Sequence, residues 1–475
     1  MRDYAAIILA AGMGTRMKSG LCKVLHEVAG RPMISYVIDA LESCRLRKLV
    51  VVVGHQADTV RNMLQKPGIE FALQEPQLGT GHAVMAARGL FQDFAGDVLI
   101  LCGDIPLIRT ETLLEFMRFH QEKQSKVTVM TALLEDPTGY GRIIRDSDQA
   151  VNRIVEERDA NDRERSTQEI NTGIYLVNAA VLYKLLSRVG QENDQHEYYL
   201  TDIVAEAARD SIPVNGMLLR NAGEASGINS RSELARAASV LWEQRRSELM
   251  DSGVMLLDPS TVYVDAEVRI GPDTVIHPCV TLKGKSAIGR DCIIESGVYL
   301  MDSRLGDRVK ILQGSRLDRA VVGDDTSVGP MAHLRPEARI GKSARIGNFV
   351  EVKKSTVGDR SKASHLPYLG DSTIGRDVNI GCGTITCNYD GKLKHPTVIR
   401  DRCFVGSDVQ FVAPVEIGEG SVIGAGSTIT RDVPPGMLAV SRATQKVYPL
   451  RPLGSSRRTT PQEESETEHE DTDRS

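Results

Sequence analysis

Aromatic side chains are scarce in this chain, 4% of 475 residues, with a single tryptophan. A core of packed rings is thereby excluded for much of the molecule, while 42 glycines favour tight turns. No apolar stretch approaches the roughly 18 residues that a membrane span needs. The start, Met1-Arg2-Asp3-Tyr4, runs straight into a short apolar strand without signal-peptide anatomy. The eight cysteines (22, 44, 102, 279, 292, 382, 387, 403) form no C-x-x-C and no paired metal spacing. They read as free thiols in a reducing cytoplasm. An excess of one charge is lacking too, with 58 Lys and Arg against 63 Asp and Glu. Even that small acidic excess is local, because Gln462–Ser475 holds seven acids and one base. The remainder is near neutral and shows no nucleic-acid footprint. The tail at 455–475 has no apolar residues and is expected to be a disordered, solvated end.

What is present argues for globular folding. Hydrophobic residues are 41% and charged residues 25%, and the length suits two large units or three smaller ones. The first half alternates apolar runs (Ala5–Leu9, Leu49–Val53, Val98–Leu101) with helical spacings. Met33, Ile34, Val37, Ile38 and Leu41 keep such a spacing, as do Leu113, Leu114 and Met117. This predicts an α/β unit over 1–229, a parallel sheet with crossover helices. Ligands in such sheets sit beyond the carboxyl ends of strands, where Leu9-Ala10-Ala11-Gly12 and Gly103-Asp104 stand. Ser230 and Glu233 form a capping box for a helix that stops near Gly253, a linker over 230–252.

From about residue 260 the period is six. Ile270, Ile276, Leu282, Ile288, Ile294 and Leu300 are evenly spaced, then Val322 through Val352, then Val405 through Ile429. Neither a helix nor a two-faced strand sustains this period. A parallel β-helix does, with one aliphatic per hexad pointing into the stack; residues 260–440 are predicted to give about ten coils, within a β-helix domain over 253–454. The spacing does not set the hand of the coil.

The turn Gly12-Met13-Gly14-Thr15-Arg16 follows a strand, and Lys23 lies shortly beyond. Glycines admit backbone amides close to phosphates, and Arg16 and Lys23 add positive charge. The pattern is not a Walker loop. Leu9-Ala10-Ala11-Gly12-Met13-Gly14-Thr15-Arg16-Met17 with Lys23-Val24-Leu25-His26 resembles the sugar nucleotidyltransferases. Gln74–His82, Gly139–Ile143, Glu169–Gly173 and Gly227-Ile228-Asn229 add to the match. Together with the hexads, residues 3–450 resemble the bacterial family of bifunctional N-acetylglucosamine-1-phosphate uridyltransferase/glucosamine-1-phosphate acetyltransferases. The resemblance implies a Rossmann-like nucleotidyltransferase followed by a left-handed β-helix, in a cytoplasmic homotrimer with no nucleic-acid partner.

Carried over residue by residue, it assigns Leu9, Ala11, Gly12, Gln74, Gly79 and Thr80 to the uridine nucleotide, and Arg16 and Lys23 to the phosphates. Gly141, Glu156, Asn171 and Asn229 would hold the sugar, and Asp104 and Asn229 would bind Mg²⁺, an ion that favours oxygen ligands. In the second half it makes His365 the general base that frees the amine of glucosamine 1-phosphate for attack on acetyl-CoA. Arg335, Lys353, Tyr368, Asn379 and Lys394 would hold the amino sugar phosphate. Cys382, Asn388, Tyr389, Ser407, Ala425 and Arg442 would line the acetyl-CoA cleft. The product of the first half, from UTP and N-acetylglucosamine 1-phosphate, would be UDP-N-acetylglucosamine, with pyrophosphate released.

Three positions depart from the family pattern: Cys22 replaces a proline before Lys23, Cys102 a tyrosine before Gly103-Asp104, and Cys382 an alanine. None removes a charge the chemistry needs. The polar residues from Arg335 to Lys394 are expected in loops where the hexad rhythm fails, since loops on a rigid stack carry sites. Two other readings compete. One makes the β-helix an assembly or effector module, against which Arg335, Lys353, His365 and Arg442 argue. The other makes it a zinc hydratase, but His277, His333, His365 and His395 lack close spacing.

Overall fold

The computed structural model describes residues 3–12 and 14–449, so the acidic tail lies outside them. The first apolar run becomes the strand Tyr4–Ala10, with Ala5 to Ile8 fully buried. Burial of both faces follows from helices packed on each side of the sheet. Lys48–Val53 and Asp97–Cys102 flank it in parallel, and Ile69–Leu73 extends the sheet beyond Lys48–Val53. On the other side the wholly parallel expectation fails. The strand Glu169–Asn178 lies antiparallel between Asp97–Cys102 and Val127–Leu133, so the sheet is mixed. Strand direction depends on where the preceding connection delivers the chain, and an apolar run carries no trace of it.

Tyr4–Ala10 is flanked by Lys48–Val53, the next strand of this sheet, on one side and by the much later Asp97–Cys102 on the other. A crevice opens beyond the carboxyl ends of two strands at such a reversal of order. Gly103 N–H donates to Leu9 O at 2.9 Å, which ties the two strand ends together at its floor.

The helix Arg231–Asp251 begins with the expected reciprocal cap. Ser230 Oγ accepts from Glu233 N–H, and Glu233 Oε2 accepts from Ser230 N–H at 2.9 Å. Ala237 and Ala238 pack with Val28, Met33 and Ile228, whereas Leu249 enters the core of the second half. One helix is thus anchored in both halves. A hairpin of Glu27–Val28 and Arg31–Pro32 gives a second join, with Ala266 N–H donating to Ala29 O at 3.3 Å. Gly30 at its tip has φ +80°, and a Cβ there would fall 2.2 Å from Asp265 Cγ. Only glycine fits that contact.

Beyond the helix the chain winds into three parallel sheets of eleven, ten and nine strands, a parallel β-helix. Ile276, Ile294, Ile311, Val328, Ile346, Ala363 and Ile380 pair coil to coil in one of them. The predicted hexad aliphatics line a single buried core, with Ile270 packed half-buried at its edge. The expectation of loops holds at Arg335, in the turn after His333–Leu334, and is corrected from Lys353 to Asn379. Lys353 and His365 end strands, and Tyr368 and Asn379 begin them. The rhythm is disguised there because Ala363 and Thr386, both fully buried, fill slots that larger aliphatics occupy elsewhere. Among the described residues one coil bulges outward, between Asn388 and Pro396. There Ile374 pairs with Ile399, and Tyr389 and Lys394 bridge the base of the insertion.

Candidate active sites

The crevice at the strand reversal is a cavity of about 440 Å³ lined by Leu9, Ala11, Gly12, Lys23, Gln74, Gly79, Thr80 and Asp104. The six predicted nucleotide residues and Lys23 line it, whereas Arg16 is exposed outside the lining. Leu9 is the penultimate residue of the strand Tyr4–Ala10, and Ala11 and Gly12 follow it. Gln74 Nε2 donates to Gly79 O at 2.9 Å, which holds the turn that leads into Thr80. Gly79 has φ +103°, and a Cβ on it would meet Tyr198 O at 2.7 Å.

Lys23 opens a short 3₁₀ turn, Lys23–Leu25. Its ammonium touches Asp104 Oδ2 and donates to Asn229 Oδ1 at 2.7 Å. Arg16 donates to the same Asn229 oxygen at 2.9 Å. Asp104 follows the strand Asp97–Cys102, and its carbonyl accepts from Ile228 N–H at 3.0 Å, which brings Gly227-Ile228-Asn229 alongside. A carboxylate oxygen and an amide oxygen therefore converge on one cationic centre.

Gly141, Glu156 and Asn171 form a neighbouring wall rather than the lining of this cavity. Asn171 N–H donates to Gly141 O at 2.8 Å, and a Cβ on Gly141 would lie 3.5 Å from the Glu156 carboxylate. Burial, partly opposed by a hydrogen bond from Thr201, pushes the Glu156 carboxyl above the ordinary range. Cys102 lines the cavity between the two walls, and burial and then the Asp104 charge push its thiol up to about 12. It is a neutral sulfhydryl there, not a nucleophile. A larger cavity of about 880 Å³, between the linker helix and Pro106–Glu111, touches none of these residues.

In the β-helix, Arg335, Lys353, Tyr368 and Lys394 come together over the sheet that carries Glu351–Lys353 and Tyr368–Gly370. The Lys394 ammonium directly beside it, then burial, and then the charge of Arg335 lower the pKa of Lys353. Arg335 is held by Glu351 at 2.7 Å. Asn379 does not join them. It begins a strand of the adjacent sheet, paired with Lys362 and Phe404.

His365 ends the strand Lys362–His365 on that adjacent sheet, exposed, with its carbonyl accepting from Gly383 N–H at 3.1 Å. The predicted acetyl-CoA residues continue from there along successive coils. Asp408 N–H donates to Cys382 O, Gly426 N–H to Ser407 O, and Arg442 Nη1 to Ala425 O at 2.8 Å. Asn388 and Tyr389 stand apart at the base of the insertion, where Asn388 Nδ2 donates to Asp371 at 2.5 Å.

A family profile for nucleotidyl transferases matches residues 5–237, and one for the bacterial transferase hexapeptide, in six repeats, matches residues 396–431. The chain is 53% identical over 446 residues to bifunctional protein GlmU of Pelobacter propionicus, covering 94% of this chain and 97% of that one. Identity to bifunctional protein GlmU of Geotalea uraniireducens is 50% over 446 residues, 94% of this chain and 98% of that one. With the same name in Syntrophomonas wolfei it is 47% over 445 residues, 94% and 99%. The chain belongs to the GlmU family.

As a GlmU-family protein it is a bifunctional transferase, with a nucleotidyl transferase half and a hexapeptide acyltransferase half. The readings of the second half as an inert module or a zinc hydratase fall with that membership. Among the described residues no helix is long and apolar enough to cross a membrane. Two residues of the first site were not singled out from sequence. Gln77, whose Nε2 donates to Ala11 O at 2.7 Å, sits inside a motif that carried the resemblance. Glu197 also lines the cavity but belongs to no motif, and it arrives there because Tyr198 N–H donates to Leu78 O.

Gly14 is fixed by Lys23 in this GlmU-family site. Its φ is +64°, and a Cβ would lie 2.6 Å from Lys23 Cβ. Gly14→Ala is therefore expected to cost about 1–3 kcal/mol locally and to displace Lys23, lowering nucleotidyl transfer at least about tenfold. Acyl transfer by the same preparation should stay at the wild-type rate. Full nucleotidyl activity in the variant would show that Lys23 does not depend on this turn.

Proposed function

We propose that the chain makes UDP-N-acetylglucosamine in two steps, acetylating glucosamine 1-phosphate in the β-helix half and transferring uridylate in the first half. The division runs at 1–229 for uridylyl transfer, 230–252 for the linker helix and 253–454 for acetyl transfer. The observation that carries the reading is the gathering of Arg335, Lys353 and Lys394 around Tyr368, on strands that pair Glu351 with Tyr368 and Lys353 with Gly370. A group of cations around one hydroxyl suits the phosphate of a phosphorylated amino sugar.

Three residues before Tyr368, on the adjacent sheet, His365 acts as the base that takes the proton of the substrate amine while the nitrogen attacks the thioester carbonyl. The carbon–sulfur bond then breaks and coenzyme A leaves as the thiol. Asn379 lies on the same sheet as His365, and Cys382, Ser407, Ala425 and Arg442 offer acetyl-CoA a run of backbone groups. Asn388 and Tyr389 approach the ligand from the insertion. Met331, Phe349 and Leu366, 48%, 59% and 56% exposed, lie at one corner of three successive coils beside His365. An apolar column of this kind supports a homotrimer in which neighbouring copies close the cleft.

In the first half the sugar phosphate oxygen attacks the α-phosphorus of UTP, and the bond to the bridging oxygen of pyrophosphate breaks. Both reactants are anions, so positive charge and positioning dominate. Arg16 and Lys23 supply side-chain cations, while the turn at Ala11 and Gly12 gives backbone access. Gly141, Glu156 and Asn171 hold the sugar. The oxygens of Asp104 and Asn229 already converge on the Lys23 ammonium, so this donor set fits Mg²⁺. Held there, Mg²⁺ would supply further charge to the phosphates. Eight free cysteines, all unpaired among the described residues, suit a cytoplasmic site of action.

The test is a single preparation given glucosamine 1-phosphate and acetyl-CoA, followed by UTP. Thiol release in the first stage and pyrophosphate release only after UTP is the expected sequence. Pyrophosphate release without prior thiol release would place the acetyl transfer elsewhere. Lys353→Ala should raise the KM for glucosamine 1-phosphate about 10–100-fold, the worth of one charged hydrogen bond, with kcat little changed. An unchanged KM would remove Lys353 from the phosphate site.

A further inference from the structure

Asn348 ends the strand Arg345–Asn348 one coil below Lys362–His365, and its Cα pairs directly with that of His365. The two chains are pressed unusually close just before this point. A Cβ on Gly347 would fall 1.9 Å from Ser364 O, so only glycine allows the approach. Leu366 N–H donates to Asn348 O at 3.1 Å, which fixes the backbone on the far side of the pair. Between these two constraints, His365 Nδ1 lies 2.6 Å from Asn348 Oδ1.

An amide oxygen has no hydrogen to give, so the imidazole must donate at Nδ1. A neutral imidazole that donates at Nδ1 carries its free lone pair at Nε2. The choice of acceptor also matters. A carboxylate would hold the same tautomer but would stabilise the imidazolium after proton transfer. A neutral amide orients the ring without that added charge.

We propose that Asn348 is the positioning residue of the acetyl transfer, holding His365 as the Nδ1–H tautomer with Nε2 free to accept the proton of the substrate amine. The proposal rests on the reading of His365 as the general base.

The test uses the full chain labelled with ¹⁵N histidine, comparing wild type with Asn348→Leu and Asn348→Asp. Ring nitrogen shifts should report Nδ1–H at His365 in wild type and in Asn348→Asp, and a mixture of tautomers in Asn348→Leu. In Asn348→Leu the kcat for acetyl transfer should fall about 10–100-fold, the usual cost of losing an orienting partner. Both KM values should stay within about twofold, and Asn348→Asp should recover most of the rate. Uridylyl transfer measured on each variant certifies that the chain is folded. An unchanged tautomer in Asn348→Leu overturns the proposal, whether or not kcat falls, and so does a wild-type kcat. The underlying reading fails separately, through undiminished acetyl transfer in His365→Ala, and that result leaves the tautomer measurement standing.

Discussion

Asp104→Ala is expected to reduce uridylyl transfer at least about 10³-fold while thiol release from acetyl-CoA continues at the wild-type rate. The side chain is only 17% exposed and pairs with Lys23, so its removal acts twice. It takes away the one carboxylate at the centre where Asn229, Lys23 and Arg16 meet, and with it the charge that a divalent ion would need there. It also leaves the Lys23 ammonium held by a neutral amide oxygen alone. Asp104→Asn keeps the shape and loses the charge, and should fail almost as badly. Pyrophosphate and thiol release assayed side by side check both variants. Equal loss of the two reactions in a folded protein would show that Asp104 supports the whole chain rather than one site.

Replacing His365 by alanine should do the reverse. Acetyl transfer should fall about 10²–10⁴-fold, the usual contribution of a general base, with uridylyl transfer untouched. The ring is exposed and carries no packing load, so stability should change little. The defect should shrink as pH rises, because more of the substrate amine is then already neutral and needs no base. A pH-rate profile for both proteins measures this directly. Near wild-type acetylation at neutral pH would leave positioning by Arg335, Lys353 and Tyr368 as the source of the rate.

Those two expectations draw on residues that differ in how visible they were beforehand. The strands at Ala5, Leu49 and Val98 announce themselves because burial on both faces demands unbroken apolar runs. The antiparallel strand Glu169–Asn178 does not, since neither direction nor neighbour is encoded in composition. The coil repeat was legible wherever an aliphatic fills the interior slot and was lost at Ala363 and Thr386, where a small side chain does the same job. That loss turned ordinary strand ends into supposed loops. Lys23, Asp104 and Asn229 were found through resemblance, and no local pattern could have joined residues 206 positions apart in sequence. Glu197 and Asn348 escaped because each acts through a neighbour's backbone or ring rather than through a motif of its own.

The hairpin at Glu27–Pro32, with Gly30 seated on Asp265, also sets an order of assembly. Tyr36, which donates to Val28 O at 2.9 Å, holds the hairpin from within the first half, but its tip meets Asp265 only when the first coil of the β-helix has been synthesised. At ribosomal speeds that interval is about 10–50 s. During that time the first half can form its sheet, while the tip at Gly30 lacks its contact with Asp265. A nascent chain therefore makes the join between its halves at Gly30 only after the second half has begun to coil.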